Sequence, residues 1–145
     1  MKKKLLSVFA ALLLGFTVQA QATDYTRLGW SCGFELGGGF FATAGYCFNP
    51  HVGVTLDLGV SGAMIDESTL GWRFSGLAEG HFYLLDRKTT PMASLRLGTF
   101  GFSEFVFDAM VGAALKNWEL LVGYRYYSGI NPSGLAFSVG YNWRF

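Results

Sequence analysis

From residue 28 to the last residue the chain is written in two-residue steps. In 51–62, Val52, Val54, Leu56, Leu58 and Val60 alternate with Thr55, Asp57, Gly59 and Ser61. In 104–115, Phe105, Phe107, Ala109, Val111, Ala113 and Leu115 alternate with Glu104, Val106, Asp108, Met110, Gly112 and Ala114. The final stretch repeats the pattern: Leu135, Phe137, Val139, Tyr141, Trp143 and Phe145 are separated by Ala136, Ser138, Gly140, Asn142 and Arg144. Successive side chains of a strand point to opposite faces, so each stretch predicts a strand with one apolar and one mixed face. Turn-forming residues interrupt the pattern at 37–39, 49–50, 63–69, 86–91, 101–103, 116–117 and 130–134. The breaks leave eight strands, predicted at 28–37, 40–48, 51–62, 70–85, 92–101, 104–115, 118–129 and 134–145.

One face of these strands carries almost no charge. The other carries Glu35, Asp57, Arg73, Glu79, Arg96, Glu104, Asp108, Glu119, Arg125 and Arg144, among many glycines and alanines. An eight-stranded barrel has an interior just wide enough for side chains to fill. Phe, Tyr, Trp and Leu from every strand would overfill it. The expectation is therefore an inverted barrel, with charged and small residues inside and the apolar face outside. A lipocalin-like soluble barrel with the opposite sense is the rival reading.

Turn positions predict which charges meet. A two-residue turn at Lys116-Asn117 sets Asp108 opposite Arg125. A turn about Phe102 sets Arg96 opposite Asp108, and one centred on Arg87-Lys88 sets Glu79 opposite Arg96. A turn at Asn131-Pro132 sets Glu119 opposite Arg144. The expected lumen network is thus Glu79, Arg96, Asp108 and Arg125 in one band and Glu119 with Arg144 below it, with Asp57, Arg73 and Glu35 on the same face. The inward cations are all Arg, whose planar fork suits buried carboxylates, while Lys88 and Lys116 fall in turns.

The first 22 residues read differently. Lys2, Lys3 and Lys4 precede an apolar run from Leu5 to Val18, and Ala20-Gln21-Ala22 has the small-x-small form of a cleavage site. Residues 1–22 are expected to be a secretory signal peptide, and 23–145 a single barrel domain starting at Thr23 or, alternatively, Gln21. Loss of three lysines moves the formal charge from +1 to −2, which leaves no basic face for nucleic acid. Charged residues make up only 14% of the chain and aromatics 17%, and no later apolar run is long enough for a membrane helix. A closed barrel is the other structure that satisfies its own backbone in lipid.

With this strand count, alternation and aromatic C-terminus, the chain resembles the small eight-stranded outer-membrane β-barrels of Gram-negative bacteria, the OmpA/OmpX/opacity-protein class. The resemblance implies an all-β transmembrane up-and-down barrel in the bacterial outer membrane. It implies lipopolysaccharide and other outer-membrane lipids, periplasmic chaperones and the β-barrel assembly machinery as partners. It makes Tyr141, Trp143 and Phe145 an assembly signal. Both termini would be periplasmic, with Trp30, Trp118 and Trp143 near that rim and Trp72 near the outer rim. The external loops are short for an adhesin of this class.

The expected role is structural, in a monomer without cofactor, metal site or catalysis. Two alternatives stand beside it. Arg125-Tyr126-Tyr127-Ser128 resembles the active-site stretch of lipid A deacylases, but Tyr126 stands where their histidine is needed to activate the serine. A narrow pore is the other. His51 is expected in a solvated turn and His81 on the inward face near Glu79. Cys32 and Cys47, the only cysteines, form a possible disulfide. A hairpin centred between Gly39 and Phe40 would oppose them, whereas the strand phases put them on opposite faces.

Overall fold

The computed structural model describes residues 27–64 and 68–145, leaving the expected signal peptide and part of the 63–69 turn outside the described residues. Eight antiparallel strands follow one another: β1 (Gly29–Leu36), β2 (Gly39–Asn49), β3 (Val52–Met64), β4 (Leu70–Tyr83), β5 (Thr89–Phe100), β6 (Glu104–Leu115), β7 (Trp118–Tyr127) and β8 (Gly134–Arg144). Each pairs with its sequence neighbours, and β8 returns to β1, so the sheet closes as an up-and-down barrel. No helix occurs among the described residues. Closure removes the free strand edges that an open sheet would present.

The turns at the end that carries the chain termini are short. Lys116 adopts a left-handed φ of 59° to make the β6–β7 reversal. At the opposite end Gly38 (φ 75°) makes the β1–β2 turn, and Gly101 (φ 64°) with Phe102 (φ 56°) makes the β5–β6 turn. A bulky Phe in the left-handed region is uncommon. Inside, glycines let strands coil closely: a Cβ built at Gly112 would strike the Leu120 carbonyl, and one at Gly123 that of Ala109.

Three expectations change in detail. β5 starts at Thr89 and includes Pro91. The Pro91 carbonyl accepts from Leu84 N (3.0 Å), so the side lacking an N–H faces the mouth of the β4–β5 turn and no ladder bond is lost to β6. The β1–β2 turn pivots on Gly38, so Cys47 pairs with Gly29 and Cys32 with Ala44. Cys32 is exposed on the outer face and Cys47 buried inside, both as free thiols, and the disulfide is not formed. Finally, Glu119 pairs with Gly140 instead of Arg144. The β7–β8 loop explains the offset: its backbone is tied by Tyr127 N to Ser133 Oγ (2.9 Å), and pairing resumes only at Arg125 with Gly134. Asn131-Pro132 thus lies on one flank of that loop rather than at its centre.

The interior is the charged and small-residue face. Arg27, Asp57, Arg96 and Asp108 are each 0% exposed, whereas Leu135 (80%), Trp72 (74%), Phe74 (69%) and Phe137 (67%) stand outside. The interior also holds two apolar clusters. Phe41, Leu77, Phe100 and Val106 pack with Tyr127 towards the end away from the termini. Cys47, Tyr83, Met92, Met110, Ala114, Leu121 and Ala136 form the second.

Candidate functional site: a layered charge network in the lumen

Between and beside the apolar clusters, ion pairs cross the barrel in three groups. In the first, Asp108 on β6 and Arg125 on β7 are direct neighbours across the ladder. Arg125 Nε donates to Asp108 Oδ1 (2.8 Å) and Nη2 to Oδ2 (2.6 Å), a fork-to-fork pair. Its Nη1 donates to the Gly37 carbonyl (3.0 Å), and its carbon centre lies 4.9 Å from the Phe100 ring centroid. Each of the three guanidinium nitrogens therefore donates a hydrogen bond.

The second group spans the lumen. Arg96 on β5 is flanked in register by Glu79 on one side and Asp108 on the other. Its side chain takes Glu79, with Nε 2.9 Å from Oε1, and turns away from Asp108. Its Nη1 and Nη2 reach Glu35 on β1, with Nη2 to Oε2 at 2.7 Å, and Nη2 also contacts Ser138 Oγ at 3.3 Å. Ser94 donates to Glu79 as well. Asp57, from β3, completes the group. One oxygen from each of Glu35, Asp57 and Glu79 lies within 4.8 Å of the others, and all three residues are buried. Neither Asp57 oxygen has a hydrogen-bond partner.

The third group lies nearer the termini. Glu119 Oε1 accepts from Tyr83 Oη (2.7 Å) and pairs with Arg144 Nη2 (3.2 Å), so Arg144 reaches the acid although it is not its ladder partner. Glu119 Oε2 accepts from Asn142 Nδ2 (3.2 Å), and Asn142 Oδ1 accepts from Thr43 Oγ1 (3.0 Å). His81 links this group to the second: Nδ1 is 3.6 Å from Glu119, Nε2 is 3.7 Å from Glu79, and Nε2 is 3.1 Å from Thr55 Oγ1. His51 sits in the β2–β3 turn with Nδ1 2.9 Å from the Tyr83 carbonyl.

At the two rims, charged side chains hold the loops. Glu104 accepts from Ile130 N (3.0 Å), Asn131 N (3.3 Å) and Asn131 Nδ2 (2.7 Å), and so fixes the β7–β8 loop. Half-buried Arg73 donates to Ser103 Oγ (2.9 Å) on the neighbouring loop. At the other rim Arg27, which the strand pattern does not reach, is fully buried. It donates to the carbonyls of Leu85 (3.2 Å) and Arg87 and lies 4.8 Å from the Tyr83 ring centroid. It closes the lumen from below.

The apolar outer face carries an aromatic patch on the rim that holds the termini. Trp118 meets Tyr141 at 4.9 Å between centroids, Tyr141 meets Trp143 at 5.0 Å, and Trp30 meets Tyr46 at 5.1 Å. Phe34 touches Trp118, Tyr141 and Trp143. Phe145, 80% exposed, ends the chain beside it, its N–H bonded to the Trp30 carbonyl (3.0 Å). Trp72 stands on β4 near the far rim, in register with Gly62.

Ser128 Oγ accepts from Phe105 N (2.9 Å) at the far rim. Tyr126, two residues before it, points outward, 49% exposed. His51, in the β2–β3 turn, belongs to the opposite rim. No family model, curated protein or solved structure matches this chain.

Proposed function

We propose that this protein is an integral barrel of the Gram-negative outer membrane, related in kind to the OmpA/OmpX/opacity-protein class. Its role is structural support of the envelope rather than catalysis. The observation that carries the reading is the inverted burial. Leu135, Trp72, Phe74 and Phe137 are exposed where Asp57, Arg96 and Asp108 are sealed in. In water such an outer surface would far exceed the apolar patches that soluble monomers tolerate. In lipid it is the solvent-matched face, and closure satisfies the backbone. The aromatic patch around Trp118, Tyr141 and Trp143 suits an interface, where a ring is buried and its polar atom stays wet. Residues 1–22 serve as the export signal, and Tyr141, Trp143 and Phe145 as the segment read by the assembly machinery. The filled lumen fits a plug better than a steady pore.

Expression in a Gram-negative host tests the proposal. The chain should fractionate with the outer membrane and lose residues 1–22. It should also run as a compact band that shifts only after boiling. Recovery as a soluble periplasmic monomer would overturn it.

A further inference from the structure

We propose that Glu35, Asp57 and Glu79 bind one hard divalent cation, of the calcium class, in the middle of the lumen. Three strands supply the ligands: β1, β3 and β4. Their oxygens lie within 4.8 Å of one another, so one point lies within about 2.8 Å of all three, and small side-chain movements bring that to the ~2.3–2.6 Å of calcium–oxygen contact.

Two further observations point to a ligand rather than to crowding alone. Asp57 is 0% exposed and neither of its oxygens has a hydrogen-bond partner, although buried carboxylates are nearly always bonded. Arg96 pairs directly with Glu35 and Glu79 but makes no direct ion pair with Asp57, so the acid most in need of a cation is the one the guanidinium does not touch. The group's charges also fail to cancel: three carboxylates face one guanidinium. A divalent cation closes that difference. His81, beside Glu79, stands equally close to Glu119, so it belongs as much to the next group. All ligand atoms are carboxylate oxygens, the donor set of calcium, magnesium or manganese rather than of zinc or copper. Calcium tolerates the irregular geometry of side chains already turned towards Arg96, and water can complete its shell, whereas magnesium demands near-ideal octahedral placement. The bound ion would join β1 to β3 and β4 through the centre of the barrel. The three acids are buried in the lumen and none belongs to the outer face, so this inference stands apart from the membrane reading.

The test uses the full chain folded in detergent micelles and stripped with a chelator. Equilibrium dialysis with radioactive calcium measures binding, and thermal unfolding with and without millimolar calcium measures its effect. We expect one calcium per barrel and a melting temperature raised by several degrees. Asp57→Asn should weaken binding at least tenfold and abolish the shift. Glu104→Gln, a rim carboxylate outside the cluster, should keep both. If Asp57→Asn does not refold, Glu35→Gln takes its place with the same expectation. Absence of saturable calcium binding by the wild-type chain would overturn the proposal, as would undiminished binding by the Asp57→Asn protein.

Discussion

Asp108–Arg125 and the Glu35–Asp57–Glu79–Arg96 cluster sit in the same lumen and solve different problems. The first is a pair of ladder neighbours joined fork to fork, with both Asp108 oxygens accepting from Arg125. The second joins opposite walls, holds three acids to one base, and leaves Asp57 without a hydrogen-bond partner. The pair behaves as a self-sufficient staple between adjacent strands. The cluster ties β1 to β5, which the backbone ladder does not connect, through the Arg96 guanidinium shared between Glu35 and Glu79.

That contrast orders the expected effects of substitution. Arg96→Met should be the most damaging, because it strands both Glu35 and Glu79 beside Asp57. Removing one partner of a buried pair costs about 3–5 kcal/mol, and here two partners are lost at once, so loss of the folded barrel is the expected result. Denaturant unfolding in detergent, followed by circular dichroism, measures it. Asp108→Ala should cost about 3 kcal/mol, the lower end of that range, since Arg125 keeps the Gly37 carbonyl and the Phe100 ring. An unchanged unfolding midpoint would show that this pair holds nothing. Replacing both members, as Asp108→Leu with Arg125→Met, should recover most of the single-mutant loss, because a closed pair can give way to apolar packing near neutrality. No such rescue is expected for Arg96→Met with any one acid replaced. The smallest effect belongs to Asp57→Asn in chelator-treated protein. It removes a charge that lacks a hydrogen-bond partner, and a change within about 1 kcal/mol, or slight stabilisation, is expected.

The division between ladder and lumen also governs what the sequence made legible. Strand order, strand phase and three of the charge registers follow from two-residue periodicity and turn chemistry, which are local. Glu79 faces Arg96, Arg96 faces Asp108, and Asp108 faces Arg125. The side chains then choose among neighbours by space and charge, and there the pattern is silent. Nothing in the spacing says that Arg96 leaves Asp108 for Glu35 across the barrel, or that Asp57 converges on Glu35 and Glu79. A carboxylate cluster assembled from β1, β3 and β4 has no spacing motif, so the linear search for metal ligands passes over it. Arg27 escaped for another reason: it lies ahead of the first alternating strand. The two registers that moved, at Gly38 and in the β7–β8 loop, were set by turns in which several residues could have been the pivot. A single left-handed glycine decides the first. In the second, the loop backbone is held by Ser133 within the loop and by Glu104 from β6, and residue spacing alone does not reveal the second bond.

The central claim is that the apolar outer face is built for lipid and the charged face for the interior. The most direct measurement dilutes the denatured chain into buffer with and without phospholipid vesicles and follows strand formation together with the heat-sensitive gel band. Our account predicts a folded, boiling-sensitive barrel only when vesicles are present. It also predicts that Leu97→Arg, which puts a charge on the outer face, costs about 2–4 kcal/mol of stability if that position lies near the bilayer midplane. A monomeric barrel that folds in buffer alone and tolerates that charge would contradict the account.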